Sequence, residues 1–211
     1  MQTTDLAANW MFAEDFLPVT EVAMRARGRA RELGLAVPSP GTCQLLAVLA
    51  AVSRAKSAVE IGTSAGVAGL ALLQGMVPDG VLTSVDAETE HQLAAKEAFA
   101  EACIAPSCTR LINSQPCEVL PRLADAAYDI VLLGGPKVDY LDRLPDALRL
   151  LRPGGLLAVD GALAGGQVPD PARRDPVTVA VRELDRTVRK MDGYTVAFAP
   201  VGDGLLLAVR R

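Results

Sequence analysis

Histidine, aromatic residues and clusters of basic residues are scarce in this 211-residue chain. It has one histidine, 4% aromatic residues and a formal net charge of −4. A negative chain without a Lys/Arg cluster lacks the cationic surface that binding to nucleic-acid phosphates requires. We therefore expect no nucleic-acid partner.

Long hydrophobic runs are also missing. The longest, Leu45–Val52, has eight residues, whereas a bilayer span needs roughly 20. The first residues, Met1–Ala8, include Asp5 and no basic segment before an apolar run, so we expect no secretory signal. These absences favour a cytoplasmic protein without a membrane partner.

The cysteines do not have the spacing of a metal site or of a redox pair. None of the four lies in a Cys-x-x-Cys pair, and His91 is the only histidine. Structural zinc sites need several such ligands close together. We interpret Cys43, Cys103, Cys108 and Cys117 as reduced thiols, as is usual in a reducing compartment.

Short apolar segments alternate with helical segments, which is typical of an α/β fold. Hydrophobic residues make up 50% of the chain and charged residues 22%, enough for a substantial core. The predicted strands are 57–61, 81–85, 109–112, 128–133, 155–159, 194–200 and 205–209. The predicted helices are 18–33, 42–54, 67–74, 88–102, 118–123, 141–151 and 176–191.

These elements predict one domain over residues 1–211, with a helical extension at 1–40 and a core at 41–211. Five strand–helix repeats indicate a Rossmann-like, doubly wound, mostly parallel sheet with helices on both faces. The Asp203-Gly204 turn between the last two strands predicts an antiparallel C-terminal hairpin. We therefore expect a seven-stranded sheet.

The most informative motif runs from Val59 to Gly66, where a buried strand leads through Glu60 into a turn with two glycines. Glycines let the backbone turn sharply and approach a ligand closely. The N–H groups of a helix that starts there would face the same crevice. The motif predicts a ligand site at the carboxyl edge of a parallel sheet.

A second acid, Asp86, ends the second predicted strand, 20 residues after Gly66. Dinucleotide-binding folds place a ribose-binding carboxylate there. However, Gly62, Gly66 and Gly69 are spaced too widely for the pyrophosphate fingerprint Gly-x-Gly-x-x-Gly. A sulfonium cofactor has no phosphate and is positively charged, so these acids favour S-adenosylmethionine (SAM). The alternative interpretation is that Glu60 and Asp86 only cap strand ends.

Five segments taken together resemble the cation-dependent class I O-methyltransferases, the group of the catechol and caffeoyl-CoA methyltransferases and their bacterial, including actinobacterial, relatives. The likeness runs from about residue 38 to the C-terminus. It implies methyl transfer from SAM to a small hydroxylated, phenolic-type acceptor, and a homodimer. The segments are Glu60–Gly66, Val85–Asp86, Tyr128–Leu133, Leu150–Leu156 and Val201–Leu205.

The resemblance implies a cofactor site built from residues that follow the strands. Pro38 or Ser39 would close over the cofactor, and Ala68 stands where relatives often have a serine. Gly134 would leave room for the cofactor or for a bulky substrate. Asp86 would hold the ribose, and Ala87, Ser114 and Gln115 would contact the adenine. The methionine end would be lined by Glu60, Gly62, Thr63, Ser64 and Gly66.

The resemblance also implies a divalent-cation site, and here the sequence departs from it. Relatives bind Mg²⁺ or Mn²⁺ with one aspartate after the fourth strand and an Asp-Asn pair after the fifth. In this chain Gly134 and Gly161 replace two of these ligands and only Asp160 remains. One carboxylate binds a hard cation poorly. We therefore doubt that a metal is bound.

Methyl transfer requires a deprotonated acceptor oxygen aligned with the methyl group. We hypothesise that Lys137, which follows the fourth strand, is the base without a metal, with Asp160 beside it. The alternatives are that Lys137 is a solvated surface lysine and that Asp160 caps a loop. His91, on a helix rich in charged residues, is interpreted as solvated.

The missing metal ligands leave the function open. They are also compatible with a SAM-binding or interaction protein that does no chemistry, and an NAD-dependent oxidoreductase is a third, less favoured possibility.

Residues 5–33 precede the strand–helix repeats, and an apolar surface in this segment would need another surface to cover it. Its apolar residues Trp10, Met11, Phe12, Phe16 and Leu17 predict a two-fold dimer.

Overall fold

The computed structural model describes residues 5–211. Residues 1–4 lie outside this range. They belong to the predicted N-terminal extension and to the segment Met1–Ala8, for which no secretory signal was expected. A central sheet has the strand order β3-β2-β1-β4-β5-β7-β6. Its strands are β1 (Ser57–Ile61), β2 (Val81–Asp86), β3 (Thr109–Asn113), β4 (Tyr128–Leu133), β5 (Leu151–Asp160), β6 (Tyr194–Ala199) and β7 (Leu205–Arg210).

The sheet has the predicted mixture of strand directions. Strands β1 to β5 pair in parallel, and β7 pairs antiparallel with both β5 and β6. The chain starts at β1 in the middle, extends to β3 at one edge and returns to β4 on the other side of β1. The crevice at such a reversal, at the carboxyl ends of the strands, is where doubly wound folds bind ligands.

Helices cover both faces of the sheet and bury two apolar clusters. One cluster packs Ile61 of β1 against Leu144 and Leu184, and the other includes Leu46 and Leu72. Each fully buried leucine contributes roughly 1.5–3 kcal/mol. The predicted fold class is confirmed. The helices are α1 (Leu6–Glu14), α2 (Glu21–Glu32), α3 (Pro40–Val52), α4 (Val67–Gly75), α5 (Thr89–Glu101), α6 (Pro116–Val119), α7 (Tyr140–Leu150) and α8 (Pro176–Arg189).

A helical extension was predicted over residues 1–40, but helix α1 was not among the individual helices predicted from the sequence. Its apolar residues do not gather on one face, so the segment lacks the periodicity of an amphipathic helix. The helix begins at a cap that could have been recognised, because the Asp5 carboxylate accepts hydrogen bonds from the backbone N–H groups of Ala7 and Ala8.

Proline and glycine account for the boundaries that were predicted wrongly. Helix α3 starts two residues early because Ser39 caps it and Pro40 suits the first helical position. Helix α6 ends before Pro121, which has no N–H to donate, and continues as a short 3₁₀ turn. Strand β5 begins at Leu151, four residues before the predicted start, because a register shift beside β4 lets the segment with Gly154, at φ +77°, join the sheet.

Gly66 fixes the start of α4, directly below the crevice. Its φ is +77°, a conformation that L side chains rarely adopt, and a Cβ there would lie 3.0 Å from the Cα of Ala95 in α5. The glycine therefore lets two helices approach closely and turns the chain out of β1. Within residues 5–211 no helix is long and apolar enough to span a membrane.

Candidate active site

A cavity opens at the carboxyl edge of the sheet, between β1, β4 and the segment before α3. The space between these segments, with the adjoining open solvent included, is about 350 Å³. The two loops on its floor lie in contact, because a Cβ on Gly62 would be 2.6 Å from the backbone nitrogen of Gly135. Of the residues predicted from the sequence, the cavity is lined by Pro38, Glu60, Gly62, Thr63, Ser64, Ala68, Gly134 and Asp160.

Glu60 is a buried carboxylate with one oxygen left open. Its side chain is 1% exposed. Oε2 accepts a hydrogen bond of 2.5 Å from the Ser84 hydroxyl, while Oε1 is buried and makes no hydrogen bond of normal length and angle with the described residues. Burial raises the pKa of Glu60 to about 8 and the charge of Asp86 adds to the shift, whereas the Ser84 hydroxyl and the backbone N–H of Gly69 oppose it. A cation that reached Oε1 would favour the ionised carboxylate.

A buried chain of hydrogen bonds holds the other oxygen of Glu60. Because the single hydroxyl proton of Ser84 points to Glu60, Thr63 Oγ1 must donate to Ser84 Oγ, 2.7 Å away. Thr63 Oγ1 in turn accepts from Gln92 Nε2 at 2.9 Å. When Glu60 is ionised, every hydroxyl in this series of hydrogen bonds therefore has one proton position. This series of hydrogen bonds ends at Glu60 and fixes the orientation of its carboxylate.

Asp86 lies at the end of β2, next to the same turn. Its Oδ2 accepts from the backbone N–H of Ser64 at 3.1 Å, and its Oδ1 accepts from that of Glu88 at 3.0 Å. His91 was predicted to be solvated, and this was wrong, since its Nδ1 lies 3.0 Å from Asp86 Oδ1 and its side chain is 20% exposed. His91 is near Asp86 because α5 begins two residues after Ala87.

The residues predicted to contact adenine lie beside the cavity and do not line it. Ser114 follows β3, and its backbone N–H donates to the carbonyl of Asp86 at 3.1 Å. Its hydroxyl donates to Glu118, while Gln115 is exposed. The side chain of Asn113 bonds the carbonyl of Ala87 at 2.8 Å. These bonds bring the ends of β2 and β3 together as one edge.

A lysine and two carboxylates gather on the far side of the cavity. Lys137 Nζ lies 4.0 Å from Asp203 Oδ2. Burial raises the pKa of Asp160 to about 6; the positive charge of Lys137 opposes the shift and the negative charge of Asp203 adds to it. Tyr140 donates its hydroxyl to the Asp160 carbonyl at 3.2 Å and so holds the end of β5.

The residues present do not fit a divalent cation. Gly134 and Gly161 have no side chain to offer, and a Cβ on Gly161 would lie 2.5 Å from Lys137 Nζ. The lysine amine therefore fills the space in which a ligand at position 161 would start. An ammonium there repels a metal ion. No group of three metal-ligating side chains is found in the part of the chain that is described.

Sequence reasoning missed several residues of this site. Ser84 and Gln92 could have been suspected, because a polar residue inside a buried strand or on a packed helix face needs a partner. Asp203 was interpreted only as part of a hairpin turn. Its position beside Lys137 depends on the antiparallel pairing of β5 with β7, which no local pattern shows.

Comparison with known proteins identifies the family. A family model described as O-methyltransferase matches residues 25–211. This chain belongs to the O-methyltransferase family. The prediction of a methyltransferase enzyme is thereby confirmed. A protein of Mycobacteroides abscessus, provisionally named an O-methyltransferase, is 48% identical over 198 residues, covering 94% of this chain and 92% of the relative.

Solved structures share the fold of this methyltransferase over its whole length. A protein from Corynebacterium glutamicum has a TM-score of 0.88 and 35% identity, with 97% of each chain covered. The O-methyltransferase TomG from Streptomyces achromogenes, which is involved in tomaymycin synthesis, was solved in complex with SAM. Its TM-score is 0.83 and its identity 28%, covering 97% of this chain and 96% of TomG.

The raised pKa of Glu60 predicts a pH dependence of stability. Between about pH 4.5 and pH 8 the native protein keeps the Glu60 proton and the unfolded chain releases it, so the free energy of unfolding falls as the pH rises. Glu60→Gln removes this contribution. We expect urea unfolding at pH 5 and pH 8 to show a smaller loss for the variant than for the wild type.

The control for this experiment is Glu90→Gln, at an exposed position of α5. This variant should lose as much stability between the two pH values as the wild type. An equal loss in Glu60→Gln and wild type would mean that Glu60 is ionised in the native state at pH 5.

Proposed function

We propose that this methyltransferase binds SAM in the cavity between β1 and β4 and transfers the methyl group to a hydroxyl of a small, phenolic-type acceptor. The observation that carries the proposal is the pair of buried polar atoms without partners, Glu60 Oε1 and Ser64 Oγ, both on residues that line the cavity. Buried polar groups are normally paired. A ligand with a positive charge and polar groups would satisfy both.

The methionine end of SAM fits the Glu60 side of the cavity. It carries positive charge, which a buried carboxylate attracts strongly in a site with little water. Thr63 and Ser84 orient that carboxylate. Gly62 and Gly135 are in backbone contact and have no side chains, so the ligand would lie directly against the backbone. When bound, SAM supplies a methyl group on a sulfonium, which an oxygen nucleophile can displace.

Asp86 fits the ribose. Two backbone N–H groups and His91 fix its carboxylate. Oδ2 accepts one hydrogen bond, from Ser64, and can accept a second from a ribose hydroxyl. The adenine would then lie along the edge formed by Ala87, Ser114 and Gln115. Calorimetry of SAM binding to variants of Glu60 and Asp86 tests both ends of this arrangement.

The change Glu60→Gln should weaken SAM binding about tenfold to a hundredfold, because it removes a charged partner of the methionine end. It should leave the binding of 5′-methylthioadenosine, which lacks the amino-acid end, nearly unchanged. Asp86→Asn should weaken both ligands. Calorimetric titrations of the three proteins measure these affinities, with Glu90→Gln as the exposed control. Equal losses for both ligands in Glu60→Gln would refute the proposed orientation.

For the transfer step we propose that Lys137, in its neutral form, takes the proton of the acceptor hydroxyl. An O–CH₃ bond then forms as the S–CH₃ bond breaks, and the proton passes from Nζ to solvent. The carboxylates of Asp160 and Asp203 would stabilise the ammonium that forms. No step passes through a metal, since the lysine amine lies where a third ligand would start. A substrate more acidic than a simple catechol suits this arrangement.

Lys137→Gln should lower kcat by about 10²- to 10⁴-fold, the usual contribution of a general base, with little effect on SAM affinity. Methyl release from labelled SAM against a panel of phenols measures this, with Lys96→Gln as the exposed control. Wild-type turnover should be insensitive to EDTA. Steep activation by Mg²⁺ or Mn²⁺, with EDTA abolishing turnover, would contradict the mechanism.

A protein that binds SAM without chemistry is the second candidate, because Gly134 and Gly161 have replaced two expected ligands. The phenol panel separates the two functions. Tight SAM binding without methyl release to any hydroxylated acceptor would favour the second.

We also propose a homodimer through the N-terminal helix. Helix α1 exposes Trp10, Met11 and Phe12, and Phe16 packs edge-on against Phe12 with ring centroids 6.1 Å apart. Apolar side chains clustered in this way favour a partner surface. Light scattering should give twice the chain mass for the wild type. The double variant Trp10→Ser and Phe12→Ser should give the mass of one chain, and a monomeric wild type would exclude the dimer.

A further inference from the structure

Glu14, the last residue of α1, reverses the usual burial pattern of a surface helix. Its side chain is 6% exposed and is the buried side chain of α1, whereas the apolar side chains of Met11 and Phe12 are exposed. A buried carboxylate costs free energy unless its oxygens are paired. The partners of Glu14 therefore show what the helix is fixed to.

Both oxygens of Glu14 accept backbone N–H groups, and the two donors belong to different parts of the fold. Oε2 accepts from Gly41, in the first turn of α3, at 2.8 Å. Oε1 accepts from Gly202, in the turn between β6 and β7, at 2.6 Å. A negative charge at the amino end of a helix is favourable, and such charged hydrogen bonds are strong. One side chain thus joins α1, α3 and the C-terminal hairpin.

Glycine allows close contact at both donor positions. A Cβ on Gly41 would lie 2.7 Å from Oε1 of Glu14, and a Cβ on Gly202 would lie 2.5 Å from the hydroxyl oxygens of Ser39 and Thr42. Gly202 also has φ +52°. The β6–β7 turn therefore packs closely against the amino end of α3, and a side chain at position 202 would force its neighbours to shift.

The turn that Glu14 holds carries Asp203 to the candidate acceptor site. Oδ2 of Asp203 lies 4.0 Å from Lys137 Nζ. Oδ1 accepts the backbone N–H of Gly165 at 2.7 Å, and the carbonyl of Asp203 accepts that of Leu163 at 2.8 Å. Displacing the turn would therefore move the carboxylate beside Lys137 and release the start of the 161–175 loop.

We infer that Glu14 is a positioning residue for methyl transfer, which holds the β6–β7 turn so that Asp203 stays beside Lys137 and the start of the 161–175 loop stays bonded to the turn. The inference rests on the proposed function, since it takes Lys137 as the base. Glu14 is 188 positions from Gly202 in the chain. The N-terminal helix would thus help to position Asp203.

The test compares Glu14→Gln with the wild type and with Glu21→Gln, whose side chain is 86% exposed. Glutamine keeps the size of the side chain but turns an NH₂ group toward one of the two backbone donors. Hydrogen–deuterium exchange of residues 161–175 and 200–204 reports the position of the turn without any acceptor. SAM affinity by calorimetry and kcat with the best phenol of the panel report the function.

We expect faster exchange in both segments, unchanged exchange in β1 and β4, and a fall in kcat on the order of tenfold to a hundredfold. The dissociation constant of SAM should change less than about threefold. Glu21→Gln should match the wild type. Asp203→Asn, which leaves Glu14 in place, should lower kcat to a similar extent, and it carries the test if Glu14→Gln does not fold.

A Glu14→Gln protein with a lower melting temperature but unchanged kcat and unchanged loop exchange would overturn the inference, because Glu14 would then only stabilise the fold. An unchanged kcat in Asp203→Asn would overturn it as well. If the wild type transfers no methyl group to any acceptor, the proposed function fails, and the exchange of residues 161–175 alone decides whether Glu14 controls the loop.

Discussion

The whole site depends on one buried carboxylate that is paired on one side only. Ser84, Thr63 and Gln92 form a one-way chain of hydrogen bonds that ends on Oε2 of Glu60. This leaves Oε1 without a partner within residues 5–211, on the residue that lines the floor of the cavity. Burying such a group lowers the stability of the fold, and a cationic ligand bound at Oε1 would offset this cost.

The two halves of the site are built differently. The proposed cofactor half comes from the ends of neighbouring parallel strands, where Glu60 and Ser84 are register partners. The proposed acceptor half brings together Lys137, Asp160 and Asp203 from three separate segments, and the position of Asp203 depends on the hairpin that Glu14 holds. A change of acceptor could therefore arise through loops and the N-terminal helix while the cofactor half stays the same.

The sheet could be predicted from the sequence because its strands follow local patterns, and the residues proposed for the cofactor were found from local patterns as well. Glu60 and Asp86 stand at strand ends next to glycines, and strand ends in a parallel sheet share one edge. The contacts of His91 and Asp203 were missed because they depend on how α5 and the hairpin dock, which periodicity does not encode. Helix α1 was missed because its only buried residue is a glutamate.

Proton release on binding tests the central claim most directly. Because burial raises the pKa of Glu60 to about 8, the carboxyl is mostly protonated at pH 7, and a cation placed at Oε1 must drive the proton off. Calorimetry of SAM binding at pH 7 in buffers of different ionisation enthalpy should show about one proton released by the wild type that Glu60→Gln does not release. A binding heat independent of the buffer in the wild type would contradict the account.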